Sequence, residues 1–186
     1  MDLHIKQVTV TLDGLADIMF DRFIRQEKDT RPAEQKLYLD EGNRIVCPAE
    51  NLWTFMFGDN PPGCARSFEG KKGREFARIG QAHIVINPAL VPFQRDGQDI
   101  VFKDFDDTGI AITRFSPRTK MSGGGSIKQD VKERPLLKLP WSLTFQISIV
   151  ENALVDETRV LNWFQQGGIM IGLGTYRPRF GRFTVR

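Results

Sequence analysis

The sequence predicts an α+β fold in which an antiparallel sheet carries helices on one of its faces. Three observations support this prediction: apolar residues alternate with polar ones in several short segments, they recur at helical spacing in others, and glycine-rich turns separate the two kinds of segment. The chain has 186 residues, which suits one domain with its own core. Hydrophobic residues make up 40% and charged residues 26%, an ordinary balance for a globular protein.

The first third of the chain reads as a strand, a helix, a hairpin and a second helix. The apolar residues of 8–12 alternate with threonines, which is typical of a half-buried strand. Helical spacing over 15–24 predicts a short helix or turn. Residues 37–46 predict a hairpin around the turn cluster DEGN. Pro48 then opens a helix with an i, i+3, i+4, i+7 apolar stripe, which Gly58 ends.

The middle of the chain predicts a loop followed by strands. Glycines and prolines are frequent over 59–80, so we expect a loop with at most one helical turn. Strands are predicted at 81–87, 100–102 and 110–115.

The last third begins with WSLTFQISIV, residues 141–150, the most regular alternation in the chain. Asp156 can cap a helix that runs to about Gln166. Gly167 and Gly168 are predicted to stop that helix, and a final strand or hairpin follows. This order of elements favours a ferredoxin-like or RNA-recognition-motif-like arrangement, with residues 1–186 as a single domain.

Residues 115–140 are predicted to form an inserted, flexible finger, because the segment is poor in apolar residues and contains three consecutive glycines. From Arg114 to Lys138 there are seven basic residues and two acidic ones, whereas the net charge of the whole chain is only +3. The positive charge is therefore concentrated in this finger.

The C-terminal twenty residues, GGIMIGLGTYRPRFGRFTVR, combine five glycines with four arginines and no acidic residue. Glycine within a strand weakens it unless a close approach requires the space. Aromatic rings interleaved with guanidinium groups are the composition expected for binding a phosphate backbone with stacked bases. The alternative is a tight hairpin whose arginines point into water and whose Phe180 packs in the core.

The candidate nucleic-acid-binding residues come from this tail, from the finger and from a basic glycine-containing loop in the middle of the chain. They are Arg177, Arg179, Arg182, Tyr176, Phe180, Gly174, Gly181, Arg118, Lys120, Lys128, Lys71, Lys72 and Arg74. Basic runs are often only solvated faces, but three such clusters in glycine-containing loops favour an anionic polymer as partner.

The tail segment LNWFQQGGIMIGLGTYRPRFGRFTV, residues 161–185, resembles the glycine-rich loop of the RAMP superfamily. These are RNA-binding proteins of CRISPR effector complexes, and the match is to their guide-binding backbone subunits. IVCPAENLWTFMF at 45–57 is similar to the strand–proline–helix element of those subunits, although Trp53 and Phe55 stand where a small and a basic residue are expected. VTVTLDGLADIMFDRF at 8–23 is similar to their first strand.

The resemblance implies a modified RNA-recognition motif in which the finger corresponds to the thumb that such subunits lay across the guide. It also implies assembly as filaments along RNA. A phage-encoded relative that binds nucleic acid alone fits the same features.

Few residues suggest catalysis. His83 lies in an apolar segment and is expected to be a structural histidine. Cys47 stands beside a helix start, which could lower its pKa, but neither histidine can be placed near it from sequence. The aspartates Asp104, Asp106 and Asp107 could hold Mg²⁺ for RNA cleavage, but a turn between strands is favoured.

We therefore expect no enzyme, no cofactor and no metal. The expected partner is single-stranded nucleic acid, with RNA favoured over DNA, and the protein is expected to act as a homo-oligomer or as subunits of a ribonucleoprotein. No membrane partner is expected, because no stretch approaches the ~18–20 apolar residues of a span. Two cysteines without a CxxC pattern indicate reduced thiols in the cytoplasm. The alternative function is a structural or assembly protein of a phage or another multi-subunit complex.

Overall fold

A computed structural model describes the protein over residues 4–22, 31–106, 109–115, 118–119, 128–129 and 132–186. The strands are β1 (Ile5–Gly14), β2 (Ile18–Met19), β3 (Val46–Pro48), β4 (Ile84–Asn87), β5 (Leu90–Arg95), β6 (Gln98–Asp99), β7 (Ile110–Phe115), β8 (Arg118–Thr119), β9 (Lys128–Gln129), β10 (Lys132–Leu137), β11 (Ser142–Val150) and β12 (Phe183–Val185). The helices are α1 (Ala49–Phe57), α2 (Cys64–Phe68), α3 (Gly73–His83) and α4 (Glu157–Met170).

The main sheet is antiparallel and has the strand order β12-β1-β11-β5-β3, with β4 pairing to β11 and β6 to β5. The long central pair β1 and β11 places Val10 opposite Phe145 and Leu12 opposite Leu143. These four side chains are buried. The alternation of apolar and polar residues in both strands therefore produces one apolar face, which faces the core.

Helices α1 and α4 cover that apolar face. The ring of Phe55 in α1 lies 5.5 Å from that of Phe164 in α4 and 5.4 Å from that of Phe183 in β12. Phe164 in turn packs against Phe145 of the sheet, with 5.7 Å between ring centroids. The predicted α+β fold, an antiparallel sheet with helices on one face, is thus confirmed.

The opposite face of the main sheet is polar and open. Thr9 lies opposite Gln146, and Thr11 lies opposite Thr144, with their hydroxyl oxygens 3.1 Å apart. Among the described residues of β1, β4, β11 and β12, no aromatic side chain lies on this face. Base stacking on the sheet, the usual mode of an RNA-recognition motif, therefore has no platform on these strands.

A second sheet with the order β2-β10-β7 stands beside the first. Beyond it, β8 and β9 pair as a short two-stranded ribbon through Arg118 and Gln129. Residues 132–137, which the sequence assigned to the finger, form β10 and pair in register with β7. Residues 120–127 lie outside the described residues. The single domain with an inserted finger at about 115–140 stays a prediction.

Several predicted elements are confirmed. The hairpin at 37–46 forms, with the Asp40 amide donating to the Arg44 carbonyl at 3.1 Å. The helix after Pro48 is α1, and the regular alternation at 141–150 is β11. Asp156 caps α4, because its Oδ1 accepts a hydrogen bond from the Arg159 amide at 2.7 Å.

Other predicted elements are wrong. The helix or turn expected at 15–24 contains the strand β2, because these residues pair with β10 rather than forming a helix of their own. The loop expected at 59–80 contains α2 and most of α3. Residues 81–83 finish α3, so the strand expected at 81–87 begins only at Ile84.

Helix α4 does not stop at Gly167 and Gly168 but runs through them to Met170. Both glycines are buried in the helix interior. A Cβ on Gly168 would lie 2.5 Å from the Phe183 carbonyl oxygen, and one on Gly167 would overlap the Cys64 sulfur. Close packing, and not termination, explains the pair. Among the described residues, no helix is both long and apolar enough to cross a membrane.

Candidate nucleic-acid interface

Residues 171–182, here called the tail loop, connect the end of α4 to β12. The helix ends when the amides of Ile171 and Gly172 both donate to the Gly167 carbonyl at 2.8 Å. Gly172 has φ +76, the left-handed conformation that commonly follows a helix.

The other glycines of the tail loop allow it to lie against the body of the protein. Gly174 has φ +77, and a Cβ there would lie 2.5 Å from the Met19 carbonyl oxygen. The same carbonyl accepts a hydrogen bond from the Thr175 amide at 3.0 Å. The Gly181 amide donates to the Asp17 carbonyl at 2.8 Å. Internal contacts with β2 and the residues before it thus account for Gly174 and Gly181, which were predicted to contact nucleic acid directly.

A cavity of about 250 Å³, here called the α1 cavity, lies between the tail loop, β2 and α1. It is lined by residues from 18–21, 46–54 and 173–177, together with Tyr38 and Phe93. The three main segments are far apart in the chain, and each lies within one of the three stretches that the sequence analysis compared with RAMP subunits. The polar lining residues are Asp21, Tyr38, Asn51, Thr54, Thr175 and Arg177.

A second cavity of about 590 Å³, here called the Tyr176 cavity, lies on the other side of the tail loop. Its walls are Pro61, Arg134, Met170, Ile171, Gly174, Thr175, Tyr176, Arg177 and Pro178. Two of these residues are basic and none of the described lining residues is acidic. The two cavities share Gly174, Thr175 and Arg177, so this part of the loop forms the wall between them.

Arg177 is the cation at this wall. Its side chain is half-buried, and burial lowers the pKa of its guanidinium group, although the group stays charged at neutral pH. Its one described hydrogen bond is a long contact of 3.4 Å to the Gly172 carbonyl. Within the described part of the chain it forms no ion pair with a carboxylate. An anion would supply the counter-charge that the described residues do not.

Arg179 and Arg182 are exposed and likewise form no ion pair with any described carboxylate. The guanidinium group of Arg179 lies 5.6 Å from the centre of the Phe180 ring, a cation–π contact. Phe180 is only half-buried, so it is not a core residue. Three arginines of the tail are therefore available to an anionic ligand.

Tyr176 connects the tail loop to the second sheet. Its φ of +58 is unusual for a residue with a side chain, and the Arg134 guanidinium lies 5.8 Å from its ring centre. Arg134 belongs to β10, is only 4% exposed, and forms an ion pair with Asp21. These contacts bring the root of the predicted finger against the tail loop.

The remaining predicted site residues lie elsewhere or are not described. Arg118 and Lys128 belong to the ribbon of β8 and β9, and Lys120 lies outside the described residues. Lys71, Lys72 and Arg74 are exposed near the start of α3 and line neither cavity. The structure therefore does not bring this third cluster to the tail loop cavities.

Sequence reasoning missed the neutral polar residues of the α1 cavity. Asn51 and Thr54 stand three residues apart on α1 and line the cavity together. The two aromatic residues of α1 that depart from the RAMP pattern do not occupy this position. Phe55 is fully buried in the core, and Trp53 packs edge-on against Phe57 with 5.7 Å between ring centroids.

The groups considered for catalysis have structural explanations. Burial raises the pKa of the Cys47 thiol to about 12, and the nearby Glu50 adds to the shift, which is the opposite of the lowering that a helix start could produce. Burial also raises the pKa of Cys64. His83 lies at the end of α3, not in a strand, and its Nδ1 lies 2.8 Å from the Ile79 carbonyl oxygen.

The carboxylate cluster forms a turn over its described part. The Asp104 side chain accepts a hydrogen bond from the Phe105 amide at 2.7 Å, and Asp106 has φ +68. Asp107 lies outside the described residues. Among the residues that the structure does describe, no group of three or more histidine, cysteine, aspartate or glutamate side chains could hold a metal ion.

The fold belongs to the ferredoxin-like, RNA-recognition-motif-like class of α+β folds, with an antiparallel sheet and helices on one face. One similar solved structure is a chain from a cryo-EM structure of the Type III-B Cmr-beta bound to cognate target RNA. The match has a TM-score of 0.53 at 14% sequence identity and covers 96% of this chain. It covers 59% of the other chain, so this protein spans less than two thirds of its neighbour's length. No protein-family model and no curated protein matches the sequence.

Proposed function

We propose that this protein binds single-stranded nucleic acid, with RNA as the favoured polymer, as a backbone-type subunit of a CRISPR-like ribonucleoprotein. A phage-encoded relative with the same binding mode is included in this proposal. The observation that carries it is the pair of cavities on either side of the tail loop, with Arg177 between them and no described carboxylate paired to it. The RAMP-like fold supports the choice of RNA.

The central contact of the proposed binding is electrostatic. A backbone phosphate binds Arg177, and neighbouring phosphates bind the exposed Arg179 and Arg182. Bases stack on Tyr176 or Phe180, since every base presents a π-face whatever its identity. Such contacts do not read sequence, so the protein binds many sequences with similar affinity.

The finger extends this surface. In the proposed arrangement Arg118, Lys120 and Lys128 lie across the bound strand, while the packing of Arg134 on Tyr176 fixes the root of the finger next to the tail loop. Lys71, Lys72 and Arg74 contribute only to a more distant stretch of the polymer or to a neighbouring subunit. Residues 1–186 act as one domain that assembles with further copies or other subunits in the cytoplasm, and without catalytic activity of its own.

Fluorescence anisotropy with a labelled ~30-nucleotide single-stranded RNA tests this function. Arg177→Ala should weaken binding about 10- to 100-fold, because a charge-assisted hydrogen bond contributes roughly 1.5–3 kcal/mol. The slope of log Kobs against log salt concentration should fall in magnitude by about 0.7, as expected for one lost phosphate contact on a single strand.

Arg186→Ala is the matched control, because Arg186 is an exposed tail arginine already paired with Asp13 at 3.0 Å. It should change affinity less than about threefold. Equal losses in both variants, or no binding by the unaltered protein at low salt, would contradict the proposal.

The alternative function, a structural or assembly protein, has one specific observation in its favour. Ile169 and Met170 at the end of α4 are 54% and 63% exposed, which is unusual for neighbouring large apolar residues. An assembly protein would show discrete oligomers by light scattering without nucleic acid, and its affinity for RNA would be negligible.

A further inference from the structure

The two cavities beside the tail loop differ in their polar lining. The Tyr176 cavity is lined by the guanidinium groups of Arg177 and Arg134, and the latter is paired with Asp21. The α1 cavity is lined by one guanidinium group, from Arg177, and one carboxylate, from Asp21. Its other polar lining residues are neutral: Tyr38, Asn51, Thr54 and Thr175.

Because of this difference, the two cavities suit different parts of a nucleotide. The Asp21 carboxylate is already paired with Arg134, so Arg177 at the wall is the one described lining cation of the α1 cavity that is left for a phosphate, and the rest of the polar lining is neutral. A sugar hydroxyl is neutral and can both donate and accept hydrogen bonds, so it is compatible with a carboxylate, an amide and hydroxyl groups together. The volume of about 250 Å³ is several times the ~30 Å³ that one water molecule occupies in the liquid and leaves room for the edge of a sugar.

Asn51 and Thr54 are placed to contact that hydroxyl. They stand at i and i+3 on α1, so they share one face of a helix. Neither side chain makes a hydrogen bond to another residue in the described parts of the chain. Both therefore keep donors and acceptors for a ligand, on a helix that packing of Phe55 in the core holds in place.

We propose that the α1 cavity holds the ribose edge of a bound nucleotide and that Asn51 and Thr54 recognise its 2′-hydroxyl group. This inference rests on the proposed binding of single-stranded nucleic acid and assigns the residues that distinguish RNA from DNA. The phosphate next to that ribose binds Arg177 at the wall between the cavities, so affinity and sugar preference depend on different residues.

The experiment compares a ~30-nucleotide RNA, the DNA of the same sequence, and the 2′-O-methyl RNA, by anisotropy at one salt concentration. The unaltered protein should bind RNA about tenfold more tightly than either of the other two, the order expected when one or two hydrogen bonds are lost. Methylation removes the hydroxyl donor and adds bulk in a small cavity, so the methylated strand should behave like DNA.

The double variant Asn51→Ala, Thr54→Val should reduce that preference to less than about threefold and leave the salt dependence unchanged. Alanine suits the first turn of a helix and valine matches the shape of threonine, so the fold should persist. The single variant Thr54→Val alters the shape of the protein less than the double variant does, and it provides a second test. The matched control is Gln146→Ala with Thr9→Val, which removes an amide and a hydroxyl from facing positions on the open side of the sheet. This control should keep the full tenfold preference.

The outcomes separate this inference from the proposed function. Equal affinity for RNA and DNA in the unaltered protein overturns the inference and leaves nucleic-acid binding intact. A preference for RNA that survives in both α1 variants also overturns it, because the hydroxyl is then recognised elsewhere. Absence of binding to all three strands at low salt overturns both.

Discussion

Arg177 differs from the other arginines of the tail in how the protein holds it. Arg179 and Arg182 are exposed, whereas Arg177 is half-buried at the wall between two cavities and has no described carboxylate partner. A guanidinium group that is partly removed from water without a counter-charge is costly unless a ligand compensates it. The composition of the tail identifies three candidate arginines, and burial distinguishes the central one.

The pKa of the Cys47 thiol provides a test of the packing around the α1 cavity. The fold raises its pKa to about 12 from an ordinary value near 9, because the side chain is 5% exposed. The Cys47 thiol therefore keeps its proton in the folded protein at pH values at which it loses that proton in the unfolded chain. The contribution of this thiol to the free energy of unfolding is fully present below pH ~9. It is lost as pH rises towards 12, by up to about 1.4 kcal/mol per pH unit.

Cys47→Ala removes this contribution. Urea unfolding between pH 8 and 11 gives the free energy of unfolding at each pH. This free energy should decline less steeply with pH for the variant than for the unaltered protein, whatever stability the variant has lost at pH 8. The other ionisable groups are common to both proteins and cancel in the comparison. Identical slopes would mean that the thiol is accessible to water.

Helix α4 ends at a different position from the one that its sequence predicts. A Gly-Gly pair commonly ends a helix, yet α4 continues through Gly167 and Gly168 for two more residues. Their lack of side chains allows close approach to Phe55, Cys64 and Phe183. The tail loop therefore starts one turn later than the sequence predicts, and this position sets where Arg177 lies.

Gly168→Ala tests this explanation. Alanine favours a helix by about 1 kcal/mol over glycine, but its Cβ would lie 2.5 Å from the Phe183 carbonyl oxygen. The overlap should outweigh the gain and destabilise the protein by about 1–3 kcal/mol, which lowers the melting temperature by roughly 3–8 °C. Gln165→Ala, at an exposed position of the same helix, is the control and should change it by less than about 2 °C. A melting temperature of Gly168→Ala equal to or above that of the unaltered protein would contradict this account.

Helix α3 was missed for a related reason. Gly73 and Gly80 lower its intrinsic helix propensity and made the segment resemble a loop. In the fold, Gly80 lies against the ring of Phe57, and Gly73 lies against the backbone of Arg66. Tertiary packing that requires glycine is invisible in the pattern of one segment, whereas the alternation of β11 and the cap at Asp156 are local signals that sequence alone reveals.

At the scale of the whole molecule, the fold joins three segments that are remote in the chain. Residues 18–21, 46–54 and 173–177 meet around the α1 cavity, and β10 meets the tail loop through Arg134 and Tyr176. The charged half of this candidate site could be predicted, because arginine and glycine clusters stand out in composition. Asn51 and Thr54 could not, because a neutral polar residue on a helix is unremarkable until the fold places it in a cavity.

Photo-crosslinking tests the central claim, that nucleic acid binds in the cavities beside the tail loop, most directly. A ~30-nucleotide RNA containing 4-thiouridine would be irradiated with the protein and the attached peptides mapped by mass spectrometry. The account predicts crosslinks in residues 38–54 and 171–182, reduced in Arg177→Ala and retained in Arg186→Ala. Crosslinks confined to the open face of the sheet, around Thr9, Thr11 and Gln146, would contradict it.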